Sequence, residues 1–170
     1  MATFDLKDGI ALKTFDGPWS EKEFKLAKAI TNSSDIYCKI YEHLSPKQYT
    51  HEWLGKVTPL QEYIDRGFEK LTKDWAVEAD QVLHRAFQVC TEHRNIMYEF
   101  NKNKDARFYY SDFTMYNIVV KSNLEIKIID IDSFVFDNVY KNRGSTIDTL
   151  FHNTLNTVIG LQQIVGVYKQ

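Results

Sequence analysis

The sequence predicts an α+β fold in which a small antiparallel sheet and one helix precede a mainly helical region. Three observations predict it. Alternating apolar positions flank the Asp-Gly turn at Asp8, which is typical of a β-hairpin. A capping-box pattern from Ser20 to Glu23 predicts the start of a helix. Apolar residues recur at three- and four-residue steps between Val77 and Phe100, which predicts a long amphipathic helix.

Further elements follow from local patterns. The runs Ile36–Tyr41 and Tyr49–Leu54 read as strands, because apolar and β-forming residues alternate there on either side of a Ser-Pro turn. A polar loop is expected through Gly144, followed by a helical region over Ile147–Tyr168 that Gly160 and Gly166 interrupt. His84 and His93 in the long helix are more typical of surface or packing residues than of metal ligands.

A second hairpin carries oxygen-bearing side chains at its ends. Two β-branched runs, one after Asn117 and one before Asp130, are joined by turn residues at 121–125. Asp112 and Asn117 precede the first run, and Asp130 and Asp132 close the second. Because these ends are neighbours in an antiparallel pair, the side chains converge. Such oxygen ligands suit a hard cation such as the magnesium that accompanies nucleotide phosphates.

These residues resemble the protein-kinase-like superfamily. Asp112 and Asn117 have the D-x-x-x-x-N spacing of the kinase catalytic loop, and Asp130 follows a second strand, as the aspartate of the D-F-G motif does. Tyr110-Ser111-Asp112 replaces His-Arg-Asp, and Asp130-Ile131-Asp132 replaces Asp-Phe-Gly. The chain is therefore more similar to divergent kinases, including secretory-pathway kinases with D-x-D endings and small-molecule kinases, than to signalling kinases.

The resemblance extends upstream. Ile10-Ala11-Leu12-Lys13 is similar to the V-A-I-K strand, which implies that Lys13 holds the nucleotide phosphates. The helix that follows implies Glu23 as the ion-pair partner of Lys13, with Glu21 as the alternative. A capping box gives Glu23 a competing role, in which its side chain folds back onto its own helix terminus.

The run from Glu52 through Leu54 resembles the kinase hinge, because a segment similar to E-Y-x-x-G-G-x-L-x-x-Y-I follows it at Thr58–Ile64. The resemblance implies that main-chain groups of Glu52, Trp53 and Leu54 bind adenine. The alternative for Trp53 is an ordinary core or rim aromatic.

The implied architecture is a minimal protein-kinase-like bilobal fold. Residues 1–55 would form a truncated N-lobe-like sheet and helix, and residues 56–170 a helical C-lobe-like part that contains the catalytic-loop hairpin. The family's Gly-rich loop is not found before Lys13, and a long activation segment and an A-P-E motif are also missing. These departures leave open what cradles the phosphates.

The implied function is an ATP- and Mg²⁺-dependent phosphotransferase that acts on a protein or small-molecule hydroxyl. Asp112 would orient or deprotonate the acceptor, Asn117 and Asp130 would bind magnesium, and Asp132 would replace or supplement a metal ligand. Lys13 would hold the phosphates.

Two alternatives stay open. A pseudokinase or protein-interaction module would keep the fold without turnover, with Trp19, Trp53 and Trp75 as possible contact residues. A small metal-dependent hydrolase using Asp112 with the Asp130 and Asp132 pair would share the metal, but no paired nucleophile and base accompany it.

Composition narrows the class of protein. The 170 residues are 44% hydrophobic and 14% aromatic, which excludes a disordered chain and fits one domain or a small bilobal unit. The net charge of -2 gives no electrostatic case for nucleic acid or a membrane surface as partner. Without C-x-x-C spacing, Cys38 and Cys90 are expected as buried, reduced thiols.

No apolar run has the length of a membrane span, and charged residues near the start do not fit a signal-peptide core. The expected location is cytoplasmic as the sequence stands, or the secretory pathway for a fragment of a longer precursor. The glycosylation sequon at Asn32 does not decide between them.

Overall fold

A computed structural model describes residues 4–102 and 108–170, with the side chains of residues 7–102, 108–135 and 147–170. Within these ranges the chain is a mixed α+β protein, which confirms the predicted class. The strands are β1 (Phe4–Lys7), β2 (Ile10–Thr14), β3 (Ile40–Ser45), β4 (Gln48–Glu52), β5 (Val57–Pro59), β6 (Phe108–Tyr110), β7 (Ile118–Lys121), β8 (Ile126–Ile128) and β9 (Phe134–Phe136). The helices are α1 (Glu21–Asn32), α2 (Leu60–Glu69), α3 (Lys73–Asn101) and α4 (Asp137–Tyr168).

The first four strands form one antiparallel sheet in the order β1-β2-β4-β3. Asp8 and Gly9, with φ of 52° and 76°, both adopt the left-handed backbone that a two-residue hairpin turn requires. The predicted hairpin is therefore confirmed. In the pairing of β2 with β4, Lys13 lies directly opposite Tyr49.

Helix α1 packs on this sheet. The Ser20 hydroxyl accepts a hydrogen bond from the Glu23 backbone N–H at 3.1 Å, which confirms the predicted helix start. The helix buries Phe24, Ala27 and Ile30, and the Phe24 ring stacks on His43 of β3 at 4.8 Å between centroids. This apolar face fixes α1 against β3.

Helices α3 and α4 pack against each other. The predicted helix in the 77–100 region is confirmed as part of α3. The polar loop expected through Gly144 is wrong, because α4 begins at Asp137 and runs without interruption past Gly160. A glycine in a helix costs only about 1 kcal/mol, so burial of neighbours such as Val158 and Val165 outweighs it.

The predicted second hairpin is confirmed as β7 and β8, with Ile118 opposite Ile128, and β5 pairs with the other side of β7. Strand β6 pairs with β9 in a separate two-stranded sheet.

The strand predicted over Ile36–Tyr41 is confirmed only from Ile40, where β3 begins. Before β3 begins, Ile128 donates its N–H to the Ile36 carbonyl at 2.7 Å and accepts from the Cys38 N–H at 2.9 Å. The segment therefore ties the N-terminal sheet to β8, an edge pairing that local periodicity does not show. The same link brings the Lys13 strand near the end of the hairpin. Among the described residues, no helix is both long and apolar enough to cross a bilayer.

Candidate functional site

A cavity of about 340 Å³ lies between the N-terminal sheet and the β7–β8 hairpin. Its walls include residues from five separate parts of the sequence. Six residues nominated from the sequence line it, namely Lys13, Glu52, Trp53, Leu54, Asn117 and Asp130. We refer to this cavity as the cleft.

Lys13 is buried in the cleft wall at 5% exposure, where its ammonium contacts the carboxylates of both Asp130 and Asp132. Burial by itself would lower the pKa of Lys13. The negative charges of Asp132 and Asp130 and their hydrogen bonds outweigh that effect and raise its pKa above the ordinary value. The Lys13 side chain is therefore positively charged at neutral pH.

Asp130 sits just beyond β8 with φ 58° and ψ 52°, a left-handed conformation that aspartate tolerates better than most residues. The Ser133 hydroxyl donates to its Oδ2 at 2.8 Å. Burial would raise the pKa of Asp130, but the charge and hydrogen bond of Lys13, followed by the Ser133 hydrogen bond, lower it below the ordinary value. The group is an anion held in place.

Asp132 follows in a short helical turn and accepts a hydrogen bond from the Tyr49 hydroxyl at 2.8 Å. Tyr49 is only 1% exposed. Burial first, and then the charge of Asp132, raise the pKa of Tyr49 well above its ordinary value, so its hydroxyl stays protonated and donates.

Asn117 connects the cleft to Asp112. Its Nδ2 donates to the Asp112 carbonyl at 2.9 Å and to Asp112 Oδ2 at 3.1 Å. Asp112 itself is exposed to solvent. The structure therefore brings Asp112, Asn117 and Asp130 to one end of the hairpin, as the sequence predicts.

Some main-chain groups of the predicted hinge already form hydrogen bonds within the protein and are not available to a ligand. The Glu52 N–H donates to the Lys39 carbonyl at 2.9 Å, and the Trp53 N–H donates to the Gly9 carbonyl at 3.0 Å. The Glu52 carbonyl is also in contact with His51 Nδ1 at 2.8 Å. Within the described ranges, the Trp53 carbonyl and the main-chain groups of Leu54 are left for an incoming ligand.

The predicted ion pair between Lys13 and the helix is not formed among the described residues. Glu21 lies 3.6 Å from His43 Nδ1, and Glu23 occupies the first turn of α1. The carboxylates of the Asp130-Ile131-Asp132 segment take the position expected for Glu23 because they reach the buried ammonium directly.

The tryptophans nominated as contact residues differ in exposure. Trp19 is buried and stacks on Tyr49 at 5.3 Å, and Trp75 packs against Phe68 at 5.5 Å. Trp53, 46% exposed, stands at the rim of the cleft. The proposal of Trp19 as a surface contact is therefore wrong, because the aromatic cluster beneath α1 buries it.

The oxygen donors in the cleft fit a hard cation. Asp130 supplies a carboxylate, and the Asn117 amide adds a carbonyl oxygen. Asp132, also nominated as a metal ligand, does not line the cavity, and its carboxylate contacts Lys13 and Tyr49. In the part of the chain that the structure describes, no group of three or more His, Cys, Asp or Glu residues is arranged to hold a metal ion. Magnesium is usually bound by one or two carboxylates together with substrate phosphates, so this set is of the right kind for a cation that arrives with a nucleotide.

The larger described cavity, about 460 Å³, lies between α3, β6 and α4 and is lined by residues such as His93, Phe113 and Phe151. It contains none of the nominated site residues. We take the smaller cavity as the candidate site because titratable groups with perturbed pKa converge there on polar main-chain groups.

Sequence reasoning missed Tyr49 and Ser133. Tyr49 reaches the site only through the register of β2 with β4, which the sequence does not reveal. Ser133 carries a local signal, because a serine three residues after an aspartate can hydrogen-bond back to it.

No protein-family model matches the chain, and no curated protein matches it either.

Proposed function

We propose that the chain is a minimal kinase-like phosphotransferase that uses ATP and Mg²⁺ and adopts a divergent bilobal kinase arrangement. The N-terminal sheet with α1 would correspond to the small lobe, and the part from α2 onward to the large lobe. The acceptor would be a hydroxyl of a protein or small molecule.

One observation carries the proposal. A buried lysine, a hinge-like segment and the strand-end residues Asn117 and Asp130 come from distant parts of the sequence and line one cleft. Each match is weak alone, since a D-x-x-x-x-N pair occurs by chance in many sequences. Their convergence on one cavity supports a common role.

The chemistry assigned to each side chain follows from its surroundings. Asp112 Oδ2 is held by Asn117, which leaves Oδ1 to orient an acceptor hydroxyl and take its proton. The acceptor oxygen forms a bond to the γ-phosphorus while the bond from that phosphorus to the β–γ bridging oxygen breaks, and ADP leaves with the electron pair. Lys13 provides positive charge at the phosphates.

Asp130 and Asn117 would hold the cation, and Asp132 would stay with the Lys13 ammonium. When bound, Mg²⁺ supplies positive charge against the phosphate oxygens. Trp53 and Leu54 would contact the base through main-chain groups, since those of Glu52 already have partners within the protein.

A second candidate, nucleotide binding without transfer, also has an observation in its favour. The tight turn at Asp8 and Gly9 lies beside Trp53 at the hinge, because the Trp53 N–H donates to the Gly9 carbonyl. In the part of the chain that the structure describes, this hairpin does not form a glycine-rich loop whose backbone amides could surround phosphates near Lys13. Because such a loop aids phosphate transfer, this difference favours nucleotide binding without transfer.

The first test is a thermal-shift titration with ATP, with and without Mg²⁺, on the wild type and on Asp130→Ala. Ligand at about 100 times its Kd stabilises the folded state by roughly 2.7 kcal/mol, which raises the Tm of a chain this size by about 8 °C. We expect a magnesium-dependent shift in the wild type that Asp130→Ala loses.

The matched control is Asp65→Ala, an exposed carboxylate on α2 away from the cleft, which keeps the full shift. No shift at millimolar nucleotide would overturn the proposal. Where the shift is present, transfer of labelled γ-phosphate to any acceptor separates a kinase from a nucleotide-binding module. Loss of that transfer in Asp112→Asn supports the role of Asp112.

A further inference from the structure

We propose that Asp132, held by the Tyr49 hydroxyl, is the residue that positions Lys13 in the cleft, in place of a glutamate on α1. The inference rests on the proposed function for its catalytic meaning, but the placement of Lys13 can be tested without any nucleotide.

The ammonium of Lys13 needs an anionic partner because it is buried. An unpaired charge in such a place is strongly destabilising, so at least one carboxylate must stay with it. Among the residues that the structure describes, Asp130 and Asp132 are the two that contact it. The question is which of them sets its position.

Asp130 is the less suitable of the two. Its side chain is 32% exposed against 16% for Asp132, and Ser133 already directs its Oδ2. Under the proposed function Asp130 also binds the cation, and a carboxylate shared with a cation releases part of its hold on Lys13. Asp132 is then the partner that remains.

The sheet register makes Asp132 a fixed support. Lys13 of β2 and Tyr49 of β4 are cross-strand partners, so their side chains leave the same face of the sheet. Both reach Asp132, Lys13 through its ammonium and Tyr49 through a 2.8 Å hydrogen bond. Stacking of Tyr49 on Trp19 and its edge contact with Phe15 hold the ring in turn.

Among the described contacts, neither glutamate of α1 reaches Lys13. Glu21 faces His43 of β3, and the ring of Phe24 is stacked on the same histidine. The position of Lys13 therefore depends on the strands and the segment after β8, and movement of α1 would leave it in place.

The test measures the reactivity of Lys13 directly. Trace acetylation with acetic anhydride between pH 8 and 11, read by mass spectrometry with exposed Lys25 of α1 as internal reference, reports how readily Lys13 loses its proton. In Asp132→Asn, removal of the adjacent charge favours the neutral amine, so the Lys13 rate should rise about tenfold. Glu23→Gln and Glu21→Gln should leave it unchanged.

Tyr49→Phe separates positioning from charge. This variant removes no charge and keeps the packed ring. Any rise in Lys13 reactivity must therefore come from a change in the position of Asp132. We expect a rise smaller than that of Asp132→Asn and clearly above the glutamate variants. It also preserves the test if Asp132→Asn fails to fold.

The inference is overturned by a rise in Lys13 reactivity in Asp130→Asn, Glu23→Gln or Glu21→Gln as large as that in Asp132→Asn, or by the lack of any rise in Asp132→Asn and Tyr49→Phe. A parallel ATP titration with Mg²⁺ tests the function separately: Asp132→Asn should weaken Kd about tenfold, equal to 1.4 kcal/mol. If the wild type binds no ATP while labelling follows the expected order, the proposed function fails and the positioning by Asp132 stands.

Discussion

Lys13 and His93 are two buried bases whose pKa values are shifted in opposite directions. Their exposed fractions are almost equal, 5% and 4%. The pKa of Lys13 is raised because two carboxylates outweigh its burial, whereas burial lowers the pKa of His93 to about 3. His93 is held by a 2.7 Å hydrogen bond to the Tyr37 hydroxyl and by stacking on Phe113 at 4.7 Å.

Burial alone therefore does not decide whether a basic side chain is charged. An anionic partner keeps the cleft lysine charged, and a neutral hydrogen bond within an aromatic cluster keeps the helix histidine uncharged. The first arrangement suits binding of anionic ligands, and the second suits packing. We therefore assign function to the cleft and stability to the surroundings of His93.

The largest expected effect comes from removing both carboxylates from Lys13. In Asp130→Asn with Asp132→Asn, the ammonium keeps its burial and loses its ion pairs, so we expect a loss of about 3 kcal/mol in the free energy of unfolding at pH 7. Urea denaturation measures it. Adding Lys13→Met to the pair should recover most of the loss, because no charge is then buried.

The free energy of unfolding of the same variant should also change with pH in a different way from that of the wild type. In the wild type the folded-state pKa of Lys13 is raised, so its stabilisation is complete below the ordinary value of 10.5 and is lost as pH rises through the folded pKa. Without the carboxylates the folded pKa falls below 10.5, and stability should increase with pH up to that value. A double variant as stable as Asp65→Asn would contradict this account.

The second effect concerns His93 and acid. Its folded pKa lies below its unfolded value of 6.5, so the stabilisation is present above 6.5 and is lost as pH falls towards about 3. Between pH 6.5 and 4.5 this loss amounts to about 2 kcal/mol. His93→Gln should be less stable at pH 7 and should lack this part of the slope.

The control for that slope is His84→Gln, an exposed change on the same helix. The pKa of His51 is also lowered, and it contributes in the same direction in every variant, so the difference between variants isolates His93. Equal slopes for His93→Gln and the wild type would show that His93 is not buried as a neutral base.

The third prediction concerns the hydrogen bond between the Tyr37 hydroxyl and His93 Nδ1. Tyr37→Phe removes the hydroxyl that His93 Nδ1 contacts and leaves a buried nitrogen without this partner, which should cost about 1 to 2 kcal/mol. Tyr98→Phe, an exposed change on α3, is the matched control and should stay within about 0.5 kcal/mol. A neutral Tyr37→Phe would indicate that stacking alone holds the histidine.

The local features of the fold were predictable because each depends on a few neighbouring residues. The Asp8-Gly9 turn, the Ser20 cap and the second hairpin follow from backbone geometry and side-chain capping. The convergence of Asp112, Asn117 and Asp130 was predictable for the same reason, since one hairpin places them together.

The partner of Lys13 was not predictable from local pattern. It depends on how β2 pairs with β4 and on how residues 36–38 pair with β8, which are contacts between distant segments. The kinase resemblance therefore implied Glu23 on α1 as the partner, although the tertiary structure brings Asp132 to the lysine. The continuous helix through Gly160 has the same origin, because packing outweighed a local preference.

The smallest expected effect concerns Ser133, which supports Asp130 from the side opposite to the ion pair. Ser133→Ala removes the 2.8 Å hydrogen bond to Asp130 Oδ2 and should cost about 1 kcal/mol at pH 7. The lowered pKa of Asp130 gives stability that is present above 3.8 and is lost as pH falls through the folded pKa. Without the serine, that pKa should move upward, towards the ordinary value.

The pKa of Asp130 can be followed by the carbon-13 shift of its carboxyl group, with the exposed Ser122→Ala as control. The shift in Ser133→Ala should be smaller than in Lys13→Met, because the charge of Lys13 contributes more than the serine hydroxyl. If the two variants move the pKa of Asp130 equally, the ion pair is no stronger than a neutral hydrogen bond. The contrast between the charged lysine and the neutral histidine would then lose its electrostatic basis.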